Sequence, residues 1–127
     1  MEREAQTFAA ISFLVIGLSH VFQPGVWVAY FQTLAAQGRV GAFIDGFLVL
    51  NFGAFIVAFH NVWDGPAVGL TIVGWSQVVK GLVRFVTPEF SVKVLARMTN
   101  ERAWQIRVGG VVALMLGGFF LWLRVQT

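Results

Sequence analysis

Apolar residues fall in four long stretches along this chain, and most polar residues lie in the gaps between them. The stretches run from about Ala5 to Phe22, from Gly41 to His60, from Pro66 to Val86 and from Ala103 to about Val125. A helix needs ~20 largely apolar residues to cross ~30 Å of hydrocarbon, so each stretch is predicted to be a membrane span. Glu2, Arg3 and Glu4 mark the water side before the first. That segment lacks a basic leader and a small-residue cleavage site, and it reads as a retained span rather than a signal peptide. Between the second and third spans, Asp64-Gly65 breaks the helix and Pro66 suits the first turn of the next one.

The other two connections are longer and amphipathic. After Gln23-Pro24-Gly25, residues Val26, Trp27, Tyr30, Phe31 and Leu34 recur at helical spacing, and Gly38 ends the pattern. Thr87-Pro88-Glu89 supplies a capping hydroxyl, a proline for the first helical position and an acid for the first turn. Phe90, Val94, Leu95 and Met98 then form an apolar stripe, with Lys93, Arg97 and Glu101 elsewhere. The predicted architecture is all-α: a transmembrane four-helix bundle with two short interfacial amphipathic helices, forming one integral membrane domain over residues 1–127.

Composition supports lipid as the solvent. Hydrophobic residues make up 57% and charged residues 12%, against roughly 45–50% and 25% in soluble domains. A chain of 127 residues is too small to bury that much apolar surface within itself. It has no cysteine, which removes disulfides, thiolate metal sites and cysteine nucleophiles. The sequence pI near 10.2 would suggest nucleic acid in a soluble protein, but here the basic residues flank spans and read as topology signals. Arg3 and Arg124 lie on the side of the termini; Arg39, Lys80, Arg84, Lys93, Arg97, Arg102 and Arg107 lie on the other, the basic side. The positive-inside rule makes the basic side cytoplasmic, with both termini outside a bacterial cytoplasmic membrane. Trp27, Tyr30 and Trp104 fall at the basic interface and Trp63 and Trp122 at the terminal one, leaving Trp75 deep. The expected partners are the bilayer, including anionic headgroups, and not nucleic acid.

Ionisable residues within spans are costly and mark candidate sites. At ~1.5 Å per residue, Asp45 lies roughly 6 Å in from the basic side, Lys80 roughly 9 Å, and Arg84 and His20 about 3 Å. Gln77 and Asn51 lie at about 13 and 15 Å by the same rise, close to the midplane. Gln77, Lys80 and Arg84 share one stripe of the third span. A short acidic side chain at this depth must be protonated or paired, and Lys80 or Arg84 is the cation at its level. Asn51 and Gln77 suit interhelical hydrogen bonds. His20 and His60 fall at opposite membrane faces and cannot share a haem, so no cofactor is expected; His60 is placed to cap the carbonyl end of its helix and His20 to bond within the basic-side cluster. No phosphate loop, zinc motif or nucleophile constellation is present, and no enzymatic activity is expected.

Glycines supply a packing pattern. Gly109, Ala113 and Gly117 form a small-residue face on the fourth span, widened by Gly110 and Gly118. Gly46 and Gly53 in the second span, and Gly74 and Gly81 in the third, repeat at an interval of seven. Such faces serve the bundle itself, a homo-oligomer or a partner subunit.

The stretches GLSHVFQPGVWVAYFQTLAAQG and FHNVWDGPAVGLTIVGWSQVVKGLVRFVTPE resemble small bacterial four-span membrane proteins of unknown function. The shared elements are Ser19-His20, Pro24, Trp27, His60-Asn61-Val62-Trp63, Gly74-Trp75 and Lys80-Gly81, and the resemblance brings no activity with it. The opening portion is also loosely similar to DoxX-like four-span proteins, in a Gly-x-x-His/Lys-x-x-x-Pro pattern followed by an aromatic helix. The sequence therefore reads as a small structural or accessory membrane component, associated with itself or with larger subunits. The alternative is a transporter or ion- or proton-conducting protein that uses the basic-side cluster.

Topology is directly testable because the chain has no cysteine of its own. A cysteine replacing Asn100 is expected to resist an impermeant thiol reagent in intact cells and to react once the membrane is opened. Labelling in intact cells would reverse the orientation.

Overall fold

The computed structural model describes residues 1–126. Six α-helices follow one another: α1 (Glu2–Phe22), α2 (Pro24–Ala36), α3 (Arg39–Phe59), α4 (Val68–Val86), α5 (Pro88–Ala96) and α6 (Ala103–Gln126). Single 3-10 turns at Gly65–Ala67 and Asn100–Arg102 lead into α4 and α6. Four helices, α1, α3, α4 and α6, are long and apolar enough to cross a membrane, and the protein is an all-α bundle of integral membrane type. Because a helix closes its backbone hydrogen bonds within itself, it can stand in hydrocarbon without exposing unpaired amides.

The long helices are arranged as two antiparallel pairs, α1 with α6 and α3 with α4, and contacts within each pair are far more extensive than those between them. Glycine sets both close approaches. A Cβ on Gly53 would stand 2.7 Å from the Gly74 carbonyl oxygen, and one on Gly81 would stand 2.6 Å from the Leu50 Cβ. The interval of seven on each helix thus becomes one continuous contact between α3 and α4. On α1 and α6, a Cβ on Gly17 would lie 2.9 Å from the Gly110 carbonyl oxygen, and one on Gly117 would lie 2.8 Å from Leu14 Cγ. The face of α6 that is used therefore runs through Gly110 and Gly117, while Gly109 and Gly118 meet nothing within 4 Å. Ala113 is only partly buried. Of the predicted Gly109, Ala113 and Gly117 face, Gly117 makes the contact, and Gly110 rather than Gly109 continues it, in line with Ile106 and Phe120 on the buried stripe of α6.

The pairs meet mainly in the half of the bundle nearest the termini. Ala9, Ala10, Ile56, Leu70, Phe120 and Leu123 form a buried cluster there. Phe13 bridges the pairs, with ring centroids 5.7 Å from Phe52 and 5.4 Å from Phe120. At the basic end, α2 and α5 pack against each other and against α3. The Gln32 amide of α2 donates to the carbonyls of Ala96 and Met98 at the end of α5, and exposed Arg39 and Glu89 face each other at 3.6 Å.

The inward faces of these two helices largely follow the apolar stripes expected of them, with one residue of each stripe turned out. Val28 and Leu34 are buried in α2 while Val26 is exposed, and Ser91 and Leu95 are buried in α5 while Phe90 is exposed. Trp27, Tyr30 and Phe31 in α2 and Val94 and Met98 in α5 are partly buried, so Val26 and Phe90 are the exceptions. Thr87 also departs from its expected role: its hydroxyl donates to the Val83 carbonyl, closing α4, and makes no cap on α5. Gly38 and Gly65 turn the chain in the left-handed region, at φ 66° and 69°, where a side chain would be strained.

Gly117 and Gly109 make a clear contrast. Gly117→Leu must displace α1 and is expected to lower stability by about 1–3 kcal/mol, read by thermal unfolding in detergent at unchanged mass. Gly109→Leu has open space and should change stability by no more than about 0.5 kcal/mol. Equal effects at the two positions would mean that the α1 contact lies elsewhere.

Candidate functional site

The basic-side cluster is built on the close contact of α3 and α4. Asp45 lies on the buried face of α3 with Ala42 and Gly46. Gly46 has no side chain where one would come within 2.6 Å of the Arg84 Cβ. Arg84 can therefore lie against α3 and reach back to the preceding residue, where its Nε donates to Asp45 Oδ2 at 3.0 Å. The other carboxylate oxygen, Oδ1, accepts from the Tyr30 hydroxyl of α2 at 3.1 Å. Asp45 and Arg84 are only 4% and 6% exposed, so this contact is shielded from solvent and lipid. One carboxylate thus ties together α2, α3 and α4.

Tyr30 lies outside the spans, and its titration reports on this contact. Its partial burial, followed by the charge of Asp45 and the hydrogen bond to it, pushes the phenol up from 10.0 to about 12. Each cause disfavours a phenolate next to a carboxylate.

Of the two cations the sequence offers to Asp45, only Arg84 is used. The Lys80 side chain is exposed, and among the described residues it makes no ion pair or hydrogen bond, although it lies within electrostatic range of Asp45, Arg84 and His20. The geometry explains the choice: Arg84 sits opposite Gly46 on the buried stripe, whereas Lys80 lies one turn earlier at the edge of that stripe, beside exposed Ser76 and Val79. His20 bonds the Ile16 carbonyl of its own helix through Nδ1 at 2.8 Å and stacks on Trp27 with ring centroids 4.1 Å apart. The Trp27 indole donates to Ser19 Oγ at 2.8 Å, which docks α2 on α1.

The deep amides do not meet. Asn51 is exposed, and its Nδ2 donates to the Phe47 carbonyl one turn back on α3, so it does not join two helices. Its short side chain finds that carbonyl within reach and leaves the interhelical face to glycine. Gln77 is half-buried with its Cβ beside Gly53, and no hydrogen bond to its amide is present among the described residues.

A second polar centre, at the terminal end, was not visible as a unit in the sequence. Gln6, His60 and Thr71 are each at most 2% exposed. His60 is not a carbonyl cap. Its Nε2 lies 3.2 Å from Gln6 Nε2 and its Nδ1 lies 3.1 Å from Thr71 Oγ1. The Thr71 hydroxyl proton goes to the Val62 carbonyl at 2.7 Å, and the same oxygen accepts the Val62 amide at 3.0 Å. With that single proton committed, Nδ1 of His60 must be the donor to Thr71, and Nε2 must accept from Gln6. The network joins α1, α4 and the turn after α3. Asn61 accepts nearby from the indoles of both Trp63 and Trp75, at 3.0 and 3.3 Å, so the Trp75 ring tip reaches the terminal turn rather than staying deep. The signal available in the sequence was depth: Gln6, His60 and Thr71 all lie within two turns of the terminal side.

Three surface grooves are present on the terminal half and midplane. One of about 350 Å³ runs between α1 and α6 past Thr7 and Arg124. One of about 630 Å³ lies between Phe8 and the outer face of α3, from Asn51 to Ala58. The third, of about 430 Å³, surrounds the first residues of α1 and the end of α3. None of the three is lined by Asp45, Gln77, Lys80 or Arg84. Comparison with protein-family models, with curated proteins and with solved structures gives no match.

The Asp45 contact can be measured in two ways. Asp45→Asn leaves Arg84 buried without its anion and is expected to cost about 3–5 kcal/mol. Combined with Arg84→Gln, it should cost less than the sum of the two single losses. Tyr30 is the only tyrosine in the chain, so tyrosinate absorbance reads it alone. Wild type should titrate near pH 12, and Asp45→Asn should titrate lower because the carboxylate is gone while the burial remains. An unmoved titration would place Tyr30 away from Asp45.

Proposed function

We propose that this protein is a small structural or accessory component of a bacterial cytoplasmic membrane, packing with itself or with larger membrane-complex subunits and catalysing no reaction. The observation that carries this reading is the engagement of both Asp45 oxygens, one by Arg84 and one by Tyr30. A carboxylate that relays protons or coordinates a passing ion needs an exchangeable position, and here each oxygen holds a fixed donor. The terminal network uses its polar atoms in the same inward manner. What remains for partners is an apolar exterior and the outward face of α6, where Gly109 and Gly118 leave room for another helix. The bias of cations to the basic side supports a cytoplasmic position for α2 and α5, with both termini outside.

A second reading, as a transporter or ion- or proton-conducting protein, is favoured by one feature: Lys80 and Gln77 share a face of α4 and make no hydrogen bond or ion pair among the described residues. Proteoliposomes separate the two. With a pH-sensitive dye inside and imposed proton and potassium gradients, the accessory reading expects flux no greater than in protein-free vesicles, together with a detergent-complex mass above that of one chain or stable co-purification of a defined membrane subunit. Flux that falls on Asp45→Asn, in protein that is folded and monomeric, would overturn it in favour of conduction.

A further inference from the structure

The charges of the basic-side cluster do not balance. Asp45 is satisfied by Arg84 and Tyr30, which leaves the Lys80 ammonium as an excess positive charge within range of Asp45, Arg84 and His20 but bonded to none of them. No described carboxylate lies within ion-pair distance of it. A cation within a span needs an anion or water, and this one is exposed at the edge of the buried stripe of α4. Lys80 stands six residues before the end of α4 at Val86, so its Cα is ~9 Å below that end. Its flexible stem carries the ammonium most of the way back, to the depth of lipid phosphates.

One turn deeper on the same face is Gln77, whose amide also has no described partner. At ~13 Å in from the basic side Gln77 is close to the midplane, too deep for its short amide to reach the headgroup boundary, so of the two only Lys80 can meet a headgroup.

The geometry points to a phospholipid site on α4, in which Lys80 holds the phosphate of a lipid with a net negative headgroup. The preference for an anionic lipid follows from charge. Lys80 supplies one unneutralised cation, its neighbour Arg84 is already paired, and no carboxylate is free nearby to receive the ammonium of a zwitterionic headgroup. Trp27, stacked on His20 at the same end, provides an amphipathic ring at headgroup level. This inference is independent of the accessory reading, since a lipid site suits a conducting protein equally.

The test uses the full chain in a neutral detergent, titrated with phosphatidylglycerol, with phosphatidylcholine or with inorganic phosphate. Lipid retention is read by native mass spectrometry, and the unfolding temperature is read in parallel. Wild type is expected to retain phosphatidylglycerol in preference to phosphatidylcholine, and to be stabilised by it but not by inorganic phosphate. Lys80→Gln should bind phosphatidylglycerol about fivefold more weakly, while unfolding in phosphatidylcholine as wild type does. Lys80→Arg should keep the preference. An undiminished preference in Lys80→Gln would overturn the site. So would equal retention of the two lipids by wild type, or stabilisation by inorganic phosphate alone. If Lys80→Gln does not fold, the comparison of lipids on wild type and on Lys80→Arg decides.

Discussion

In hydrocarbon, apolar side chains gain nothing by leaving lipid for one another, so helices are held together by how closely their backbones can approach. This protein meets that constraint at glycine. Gly46, Gly53, Gly74 and Gly81 join α3 to α4, and Gly17, Gly110 and Gly117 join α1 to α6. These contacts set the two-pair architecture, and they also determine which polar side chains can meet. Arg84 reaches Asp45 because Gly46 leaves space for its stem. The ion pair is therefore a consequence of the helix contact and reinforces it, since either charge left alone at that burial would be strongly unfavourable.

Each end of the bundle has its own polar clasp. At the terminal end, neutral groups on α1, α4 and the intervening turn satisfy one another through the single proton of Thr71 and the Nδ1–H form of His60. At the basic end, a charged pair and a phenol join α2 to the α3–α4 contact, and Trp27 joins α2 to α1. Hydrogen bonds between membrane helices are worth only ~0.6 kcal/mol on average. Their contribution here is to fix which helix lies beside which, and at what height, more than to supply the bulk of the stability.

The spans, the surface helices and the acid at position 45 were legible because each rests on a strong local signal: length, periodicity or the cost of a charge in lipid. The choice between Lys80 and Arg84 was not legible. Both lie on one stripe, and only the side-chain space opposite each decides which is buried. The choice of Gly110 over Gly109 beside Gly117 on α6 was not legible for a similar reason. Five small residues between 109 and 118 allow more than one groove, and Leu14 and Gly17 on the partner helix select the one through Gly110 and Gly117. The interhelical hydrogen bonds expected of Asn51 and Gln77 follow from depth alone, which says nothing about azimuth; Asn51 faces outward on α3. The Gln6, His60 and Thr71 network was hidden because each residue has a bland reading by itself, and a network of three distant side chains has no local signature.

The distribution of satisfied and unsatisfied polar groups is uneven in a way that bears on function. At the terminal end, Gln6, His60 and Thr71 are turned inward and matched donor to acceptor. Along the α4 face toward the basic end, Lys80 and Gln77 are left over after Arg84 has taken the buried carboxylate. A purely structural bundle could have carried apolar residues at both positions with no loss of packing, since neither side chain joins two helices here. Such polar groups carry a desolvation cost in lipid; the flexible stem of Lys80 lowers it by lifting the ammonium toward the headgroups, an option that Gln77, close to the midplane, lacks.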